Sequence, residues 1–293
     1  MEVFNVANNL SNQLILNLKV NLSRELSRAK YDLSISEKMI LLCALARMDQ
    51  SKELKRGKFY PVSVKDFAEM RDMRTDNARE ILLTAADSLH SKILVLNDDD
   101  GRTYKIHWFQ ATTFDQADDT LYVQWHPDIA AHITELGNYI TMSTTALQKI
   151  KSKYTQRIFE LILASKHHLR SEGCIRLSLD EFTDILQIKD SKKEYKYLKR
   201  DILLHSFNEL FERGLMYAIV KEEKQGKSVK NILIYFKNID AQTWEHISLQ
   251  KLQYTDMLGI VTWGLYPELN EIYRKEAALK RIELDMKLKQ KGV

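Results

Sequence analysis

The sequence has few of the residues that metal sites, disulfides or membrane segments require. Its 293 residues include only two cysteines, Cys43 and Cys174, so a disulfide framework or a cysteine metal site has no support. The longest apolar run, residues 39–46, is far shorter than the roughly 20 residues that span a bilayer. The amino terminus also lacks the basic-then-apolar pattern of a signal peptide. We therefore expect a cytoplasmic protein without a membrane segment.

Motifs of catalytic sites are also missing. His167 and His168 are adjacent and lie about 100° apart on a helix, whereas a nicking enzyme needs a His-x-His metal pair beside its tyrosine. Gly226-Lys227-Ser228 resembles the end of a phosphate loop, but Lys221 stands where the first glycine is required. Asp98-Asp99-Asp100 lack the alternating spacing of a calcium loop. We expect no enzymatic activity, no metal site and no cofactor.

Length and charge are more informative. A chain of this length usually forms two domains, and 44% hydrophobic residues suffice for two cores. Residues 1–140 hold 17 Lys+Arg against 20 Asp+Glu, a net charge of −3, whereas residues 141–293 hold 27 against 20, a net charge of +7. This asymmetry favours a polyanionic partner that contacts mainly the second half. Solubilising surface lysines would give the same composition.

The first half has the element order of a winged helix. Ser34-Ile35-Ser36-Glu37 predicts a capped helix that runs to Met48, followed by a strand at residues 59–62. Ser63 then caps a second helix, and Thr75 or Asp76 caps a third, which gives a helix-turn-helix. A hairpin follows, with strands at 93–96 and 102–114 around the acidic turn 97–101, and a possible third strand at 121–125. These elements define a predicted first domain at residues 10–137.

The same order recurs in the second half. One long helix is predicted from Thr145 to about Arg170, then a strand at 174–177 and a helix beginning at Ser178. A further helix runs from about Ser191 to Arg213 and ends at Gly214, and strands at 215–220 and 229–236 flank a turn at 221–228. The predicted second domain covers residues 138–240, with the joint near Gly137-Asn138, and residues 241–293 form a helical tail of unknown role. The expected fold class is α+β, mainly helical, with two tandem winged-helix domains and β-hairpin wings.

The helix predicted at residues 191–213 is the best candidate for a DNA-binding element. A stripe of apolar residues predicts its buried face, and basic residues lie on other faces of its N-terminal half, which in a helix-turn-helix enters the major groove. Lysines of the following hairpin would lie along phosphates. The alternative is an ordinary solvated lysine surface. The candidate DNA contacts of this domain are Lys192, Lys193, Lys196, Lys199, Arg200, Lys224, Lys227 and Lys230.

The first domain is a weaker candidate. Its corresponding helix offers Arg74, Thr75, Asn77 and Arg79, but the acidic turn of its wing would repel phosphate. We expect this domain to make auxiliary contacts with DNA and to serve association between protein chains. A purely structural role for it remains an open alternative.

Over roughly residues 10–240, several segments resemble the plasmid replication initiators of the Rep-3 family and occur in the same order along the chain. The segments that carry the resemblance are residues 33–42, 66–68, 76–78, 85–89, 147–161 and 197–203. The resemblance implies two winged-helix domains that bind repeated origin sites, called iterons, in double-stranded DNA. It further implies that the second domain contacts the groove, while dimers joined mainly through the first domain repress their own promoter and monomers open the origin.

The resemblance also implies partners and further contacts. Host replication proteins such as the initiator ATPase and the replicative helicase would be recruited. Ser152, Lys153, Tyr154 and Arg157 would lie near the DNA backbone, although Tyr154 and Arg157 are equally well explained as packing residues. Helix-turn-helix architecture alone does not separate an initiator from a winged-helix transcription regulator, and a nicking enzyme is a more distant alternative.

Overall fold

A computed structural model describes residues 14–97, 102–165 and 172–239. The acidic turn at 98–101, the pair His167 and His168, and the predicted tail at 241–293 lie outside these ranges. Within the described parts of the chain, none of the helices has the length and apolar character that a bilayer-spanning segment requires.

The first half combines short helices with small antiparallel sheets. Its helices are α1 (Arg24–Arg28), α2 (Ile35–Ala46), α3 (Val64–Arg71), α4 (Thr75–His90), α5 (Ala130–Ile133) and α6 (Thr144–Lys149). Its strands are β1 (Lys19–Ser23), β2 (Tyr60–Ser63), β3 (Ile93–Asn97), β4 (Thr103–His107), β5 (Phe109–Asp115), β6 (Thr120–Trp125) and β7 (Tyr139–Ser143). They form a sheet of order β2-β6-β5 and the pairs β3-β4 and β1-β7.

Helix caps follow the sequence pattern with one exception. Ser34 and Glu37 form the predicted capping box of α2, and the Ser63 hydroxyl accepts a hydrogen bond from the backbone N–H of Asp66. The predicted cap of α4 at Thr75 or Asp76 is wrong, because the helix begins at Thr75 and its N-cap residue is Arg74. The left-handed conformation of Asp72 ends α3 and shortens the turn between the two helices.

The second half repeats the pattern with longer strands. Its helices are α7 (Lys153–Ser165), α8 (Leu179–Ile185), α9 (Tyr195–Tyr197) and α10 (His205–Glu212), and its strands are β8 (Glu172–Ser178), β9 (Met216–Gln225) and β10 (Ser228–Asn238). The sheet has the order β8-β10-β9. A π-helical segment, Leu198–Leu204, joins α9 to α10, so residues 195–212 form one continuous helix. Helices with small antiparallel sheets confirm the predicted α+β class.

The helix of residues 195–212 ends as predicted and begins later than predicted. Gly214 has φ +67°, and its N–H donates to the carbonyl of Phe211 at 2.9 Å, as in a glycine-terminated helix. At the other end, Ser191 belongs to a 3₁₀ turn, Asp190–Lys192, that precedes α9. The predicted start at Ser191 is therefore wrong by about one turn.

The single long helix predicted from Thr145 is interrupted. Ile150 is fully buried with extended backbone and separates α6 from α7. The backbone N–H of Lys151 donates to the Glu209 carboxylate of α10 at 2.5 Å, and the hydroxyl of Ser152 accepts from the N–H of Thr155. A distant carboxylate and a serine cap thus satisfy backbone groups that a continuous helix would satisfy itself.

The second wing is longer than expected. The polar residues 221–225 continue β9 instead of forming a turn. Gln225 pairs with Ser228, which leaves a two-residue turn at Gly226 and Lys227. Gly226 has φ +62°, as such hairpin turns require. In the first half, the strand predicted at 102–114 divides at the buried Trp108 into β4 and β5.

Helix α7 lies where the two halves meet. It packs against α1 on one side and α10 on the other. Strands β1 and β7 pair from Lys19↔Ser143 to Ser23↔Tyr139, so hydrogen bonds join residues on both sides of the boundary predicted near Gly137-Asn138. That boundary stays a prediction, and the pairing shows that the chain on its two sides is not independent.

A buried cluster of charges ties α7 to the first half. The carboxylate of Glu160 lies 2.9 Å from Lys38 Nζ and 2.6 Å from Arg157 Nη1, and it accepts a hydrogen bond from the hydroxyl of Tyr31. We call Tyr31, Lys38, Arg157 and Glu160 the buried charge cluster. The Arg157 guanidinium also stacks over the Tyr31 ring, 3.8 Å from its centroid.

Candidate nucleic-acid interface

The helix of residues 195–212 has a buried face and a basic N-terminal half. Its predicted apolar stripe is confirmed as core: Leu198, Ile202, Leu203, Phe207, Leu210 and Phe211 are each at most 2% exposed. In the N-terminal half, Lys196 and Arg200 are exposed, and Lys199 keeps 40% of its side chain accessible. One face therefore packs against the sheet, while the cations remain available to a ligand.

The exposed cations of this helix have aromatic and acidic neighbours. Tyr197 lies between Lys196, whose Nζ is 4.7 Å from the ring centroid, and Arg200, whose Cζ is 5.4 Å away. Arg200 also donates two hydrogen bonds to Asp201, at 2.5 and 3.0 Å, and these raise the pKa of its guanidinium further. Both contacts are at the surface and leave the guanidinium in water.

Two of the predicted helix cations lie before the helix. Lys192 ends the 3₁₀ turn Asp190–Lys192, and Lys193 follows it. The Lys193 ammonium lies 3.0 Å from the Asp190 carboxylate, and that hydrogen bond raises the pKa of Lys193. Both lysines therefore lie just before the N-terminal end of the helix.

The wing meets the helix at Glu222. This carboxylate lies 2.8 Å from Lys199 Nζ and 3.4 Å from Lys224 Nζ. Partial burial opposes ionisation of Glu222, but hydrogen bonds led by that from Lys199 outweigh it and lower the pKa of Glu222. One carboxylate thus contacts cations of both the helix and the wing.

The remaining wing lysines point into solvent at the end of the hairpin. Lys227 occupies the two-residue turn, and Lys230 lies at the register shift between Val229 and Asn231. Both are exposed, as is Lys224.

Local placement of charge, more than net charge, distinguishes residues 178–236, the part of the second domain that carries the basic helix and the wing. Residues 178–236 hold 11 Lys+Arg against 10 Asp+Glu, nearly balanced. Two of the acids face the first half, where Glu181 pairs with Arg28 and Asp184 pairs with Lys30, both at 2.8 Å. These ion pairs neutralise the acidic side of α8.

The candidates in the first domain are paired with acids. Arg74 lies 2.9 Å from Asp76, and Arg79 lies 2.8 Å from Asp119 and over the ring of Phe114. Thr75 and Asn77 are exposed at the start of α4. The other exposed charges of α4 before its last residue are carboxylates: Asp76, Glu80 and Asp87.

The four residues around the start of α7 occupy different environments. Ser152 caps the helix, and Lys153 pairs with Asp32 at 2.5 Å while its Nζ lies over the ring of Tyr154. Tyr154 is partly buried and packs against the core. Arg157 is buried within the charge cluster, so its surroundings in this conformation match the packing alternative.

Three residues of this surface were not predicted as site residues: Tyr197, Asp201 and Glu222. Tyr197 and Arg200 are three residues apart on a helix, a spacing that places side chains together and was available in the sequence. The sequence pattern places Glu222 in a turn, and only the extended hairpin brings its carboxylate next to Lys199. Among the described residues, no group of three or more His, Cys, Asp or Glu side chains could hold a metal ion.

The fold and the basic helix and wing define a tandem winged-helix DNA-binding protein. A family model described as "Initiator Replication protein, WH1" matches residues 19–163, and a second one, "Initiator Rep protein, WH2", matches residues 178–236. The chain therefore belongs to the Rep-3 family of plasmid replication initiators, as the sequence resemblance implied, and the predicted tandem winged-helix fold is confirmed.

Known proteins agree with this assignment. The chain is 24% identical over 224 residues to a "Replication initiation protein" of Escherichia coli, covering 75% of this chain and 69% of the relative. It is 21% identical over 251 residues to the "PI protein" of Escherichia coli, covering 74% and 82%. A crystal structure of the Pi initiator protein in complex with iteron DNA matches with a TM-score of 0.66 at 18% identity, covering 77% of this chain and 99% of that one.

Proposed function

We propose that this chain initiates plasmid DNA replication by sequence-specific binding to double-stranded DNA at iterons of an origin. The second winged helix, within residues 138–240, is the main DNA-binding domain. One observation carries this assignment: the exposed cations of the helix at residues 195–212 lie beside a basic wing, and Glu222 connects the two. The crystal structure of the Pi initiator protein in complex with iteron DNA supports the choice of ligand.

The proposal is tested with the double variant Lys199→Ala plus Arg200→Ala. We expect weaker binding to a duplex that carries the repeats beside the protein's own gene, at about 1–3 kcal/mol for each base-contacting side chain. Fluorescence anisotropy at one fixed salt concentration measures the change. Lys52→Ala plus Arg56→Ala is the matched control, because it removes one lysine and one arginine from exposed positions of the loop before β2. Equal affinities of the two double variants would contradict the assignment.

The division of labour between the domains belongs to the same proposal. The first domain, within residues 10–137, makes auxiliary phosphate contacts and joins two chains into a dimer that represses its own promoter. Monomers open the origin and recruit host replication proteins such as the initiator ATPase and the replicative helicase. The family resemblance supports this scheme, and the acidic exposed face of α4 agrees with a minor DNA-binding role for the first domain.

The initiator acts by binding and not by catalysis. Supercoiled plasmid carrying the origin, incubated with the protein and Mg²⁺ or Mn²⁺, should remain uncut, because the sequence has neither a His-x-His pair nor a phosphate loop. Relaxed plasmid or a tyrosine-linked product would favour the nicking alternative. Direct repeats beside an AT-rich stretch would distinguish an initiator from a winged-helix regulator, for which an inverted repeat alone is expected.

A further inference from the structure

Glu222 occupies an unusual place for an acidic residue on a DNA-binding surface. Phosphate repels a carboxylate, so an acidic residue on the wing weakens the attraction between the wing and DNA. Glu222 nevertheless lies between the helix and the wing, within 2.8 Å of Lys199 Nζ and 3.4 Å of Lys224 Nζ. Its side chain is only 22% accessible, so most of it is enclosed by these neighbours.

The strand geometry fixes this carboxylate. Glu222 pairs in register with Ile232, which is fully buried, and it shares its face of β9 with the buried Ala218. Glu222 is therefore the point at which the inner face of the wing leaves the hydrophobic core and meets the N-terminal half of the helix.

We propose that Glu222 is a positioning residue that holds Lys199 of the recognition helix and Lys224 of the wing in one arrangement before DNA binds. A lysine side chain has four rotatable bonds, and fixing its conformation in a complex costs entropy. A partner that orients the ammonium in advance lowers this cost for the DNA sequence that the arrangement fits. Glu222 therefore contributes to sequence selectivity while its charge weakens binding to all DNA.

This inference rests on the proposed function, in which Lys199 contacts DNA. It predicts that Glu222→Gln lowers selectivity, the ratio of affinities for the cognate repeat and a scrambled duplex, by a factor of roughly 5 to 10. Affinity for the scrambled duplex should rise or stay unchanged, because a negative charge has been removed. The full-length protein is titrated with both duplexes at the same salt concentration.

Glu223 supplies the matched control. It is the next residue of β9, so it points to the other face, where its carboxylate lies 2.8 Å from Arg176 Nε and 3.0 Å from Asn231 Nδ2. Glu223→Gln removes the same charge from the same wing and should change the selectivity ratio by less than about twofold. An equal loss in both variants would show a general charge effect and overturn the proposal.

A double-mutant cycle with Lys199→Ala identifies the residue through which Glu222 acts. In that background, Glu222→Gln should lower selectivity by a clearly smaller factor than in the wild type, because only Lys224 is left for it to position. A loss as large as in the wild type, or a ratio that rises when Glu222 alone is changed, contradicts the positioning role. Glu222→Asp, which keeps the net charge and withdraws the carboxylate by one carbon, replaces the Gln variant if its thermal unfolding shows a folding defect, with the same direction expected.

The two proposals fail in distinguishable ways. If Lys199→Ala leaves selectivity unchanged, the recognition helix has been assigned wrongly, and the role of Glu222 fails with it. If Lys199→Ala lowers selectivity and neither Glu222 variant does, the DNA-binding assignment stands and only the positioning role is overturned.

Discussion

Glu160 shows how a single buried residue determines the contact between the two halves of the molecule. Its carboxylate is inaccessible to water, and it contacts Lys38, Arg157 and Tyr31. Burial opposes its ionisation, but the nearby Lys38 and Arg157 outweigh burial and hold the pKa of Glu160 below its ordinary value. Burial alone would lower the pKa of Lys38, but the charge of Glu160 outweighs it, so the pKa of Lys38 is raised. Lys38 and Glu160 are therefore both ionised at neutral pH.

Replacing Glu160 by Gln should destabilise the protein strongly. The substitution keeps the shape of the side chain but leaves two buried cations without a counter-charge, a change that costs about 3–5 kcal/mol when one partner of a buried pair is lost. Urea unfolding at pH 7 measures the difference. Glu181→Gln is the control, since the pair Arg28–Glu181 is exposed and should contribute under about 1 kcal/mol. Similar losses of unfolding free energy in both variants would show that the buried charge cluster stabilises the fold no more than an exposed ion pair does.

The depressed pKa of Glu160 also gives the sign of a pH dependence. A carboxyl group whose pKa is lower in the folded protein stabilises the fold above its unfolded pKa, and this contribution is lost as the pH falls through the folded pKa. The stability difference between wild type and Glu160→Gln should therefore be largest at neutral pH and shrink below about pH 4.3, the ordinary pKa of a glutamate. A difference that grew on acidification would contradict the ionised state of Glu160.

At the scale of elements, short sequence patterns predicted a helix or its ends correctly where that structure depends only on neighbouring residues. The capping serines Ser34 and Ser63 start helices as expected, Gly214 ends one, and the apolar stripe of residues 198–211 is buried. Each of these features depends on residues within a few positions of one another. The amphipathic helix of residues 195–212 and its basic half were therefore accessible from the sequence.

Elements that depend on residues far away in the sequence could not be predicted from short sequence patterns. The break between α6 and α7 requires Glu209, which is 58 residues away from Lys151, to accept its backbone N–H. Strands β1 and β7 were missed because each is short and is stabilised by the other across more than a hundred residues. The sequence predicts too short a wing because the polar residues 221–225 resemble a turn. Alternating exposed positions on a strand tolerate charge equally well.

The π-helical segment is a fourth feature without a local signal. Leu198–Leu204 contains Lys199 and Arg200, and its wider turn changes the direction in which their side chains leave the helix relative to a regular α-helix. Such segments are frequent at functional sites.

At the scale of the whole molecule, the two halves cannot be separated at the predicted boundary without loss. A cut between Gly137 and Asn138 would remove β1 from β7 and leave Glu160 and Arg157 without Tyr31 and Lys38. The division of labour between the domains is therefore best measured in the full-length chain, by neutralising the same number of cations in either half.

The last prediction compares two such double variants by the salt dependence of DNA binding. Each phosphate contact contributes about 0.9 to the slope of log K against log salt concentration, so losing two contacts lowers its magnitude by up to about 2. Lys227→Gln plus Lys230→Gln should approach that change, because both lysines are exposed on the second wing. Arg74→Gln plus Arg79→Gln should change the slope much less, because these arginines already pair with Asp76 and Asp119 on a surface with further carboxylates. Binding titrations of a cognate duplex at several salt concentrations give the slopes. A larger change for the first-domain variant would mean that the first winged helix supplies the main phosphate contacts.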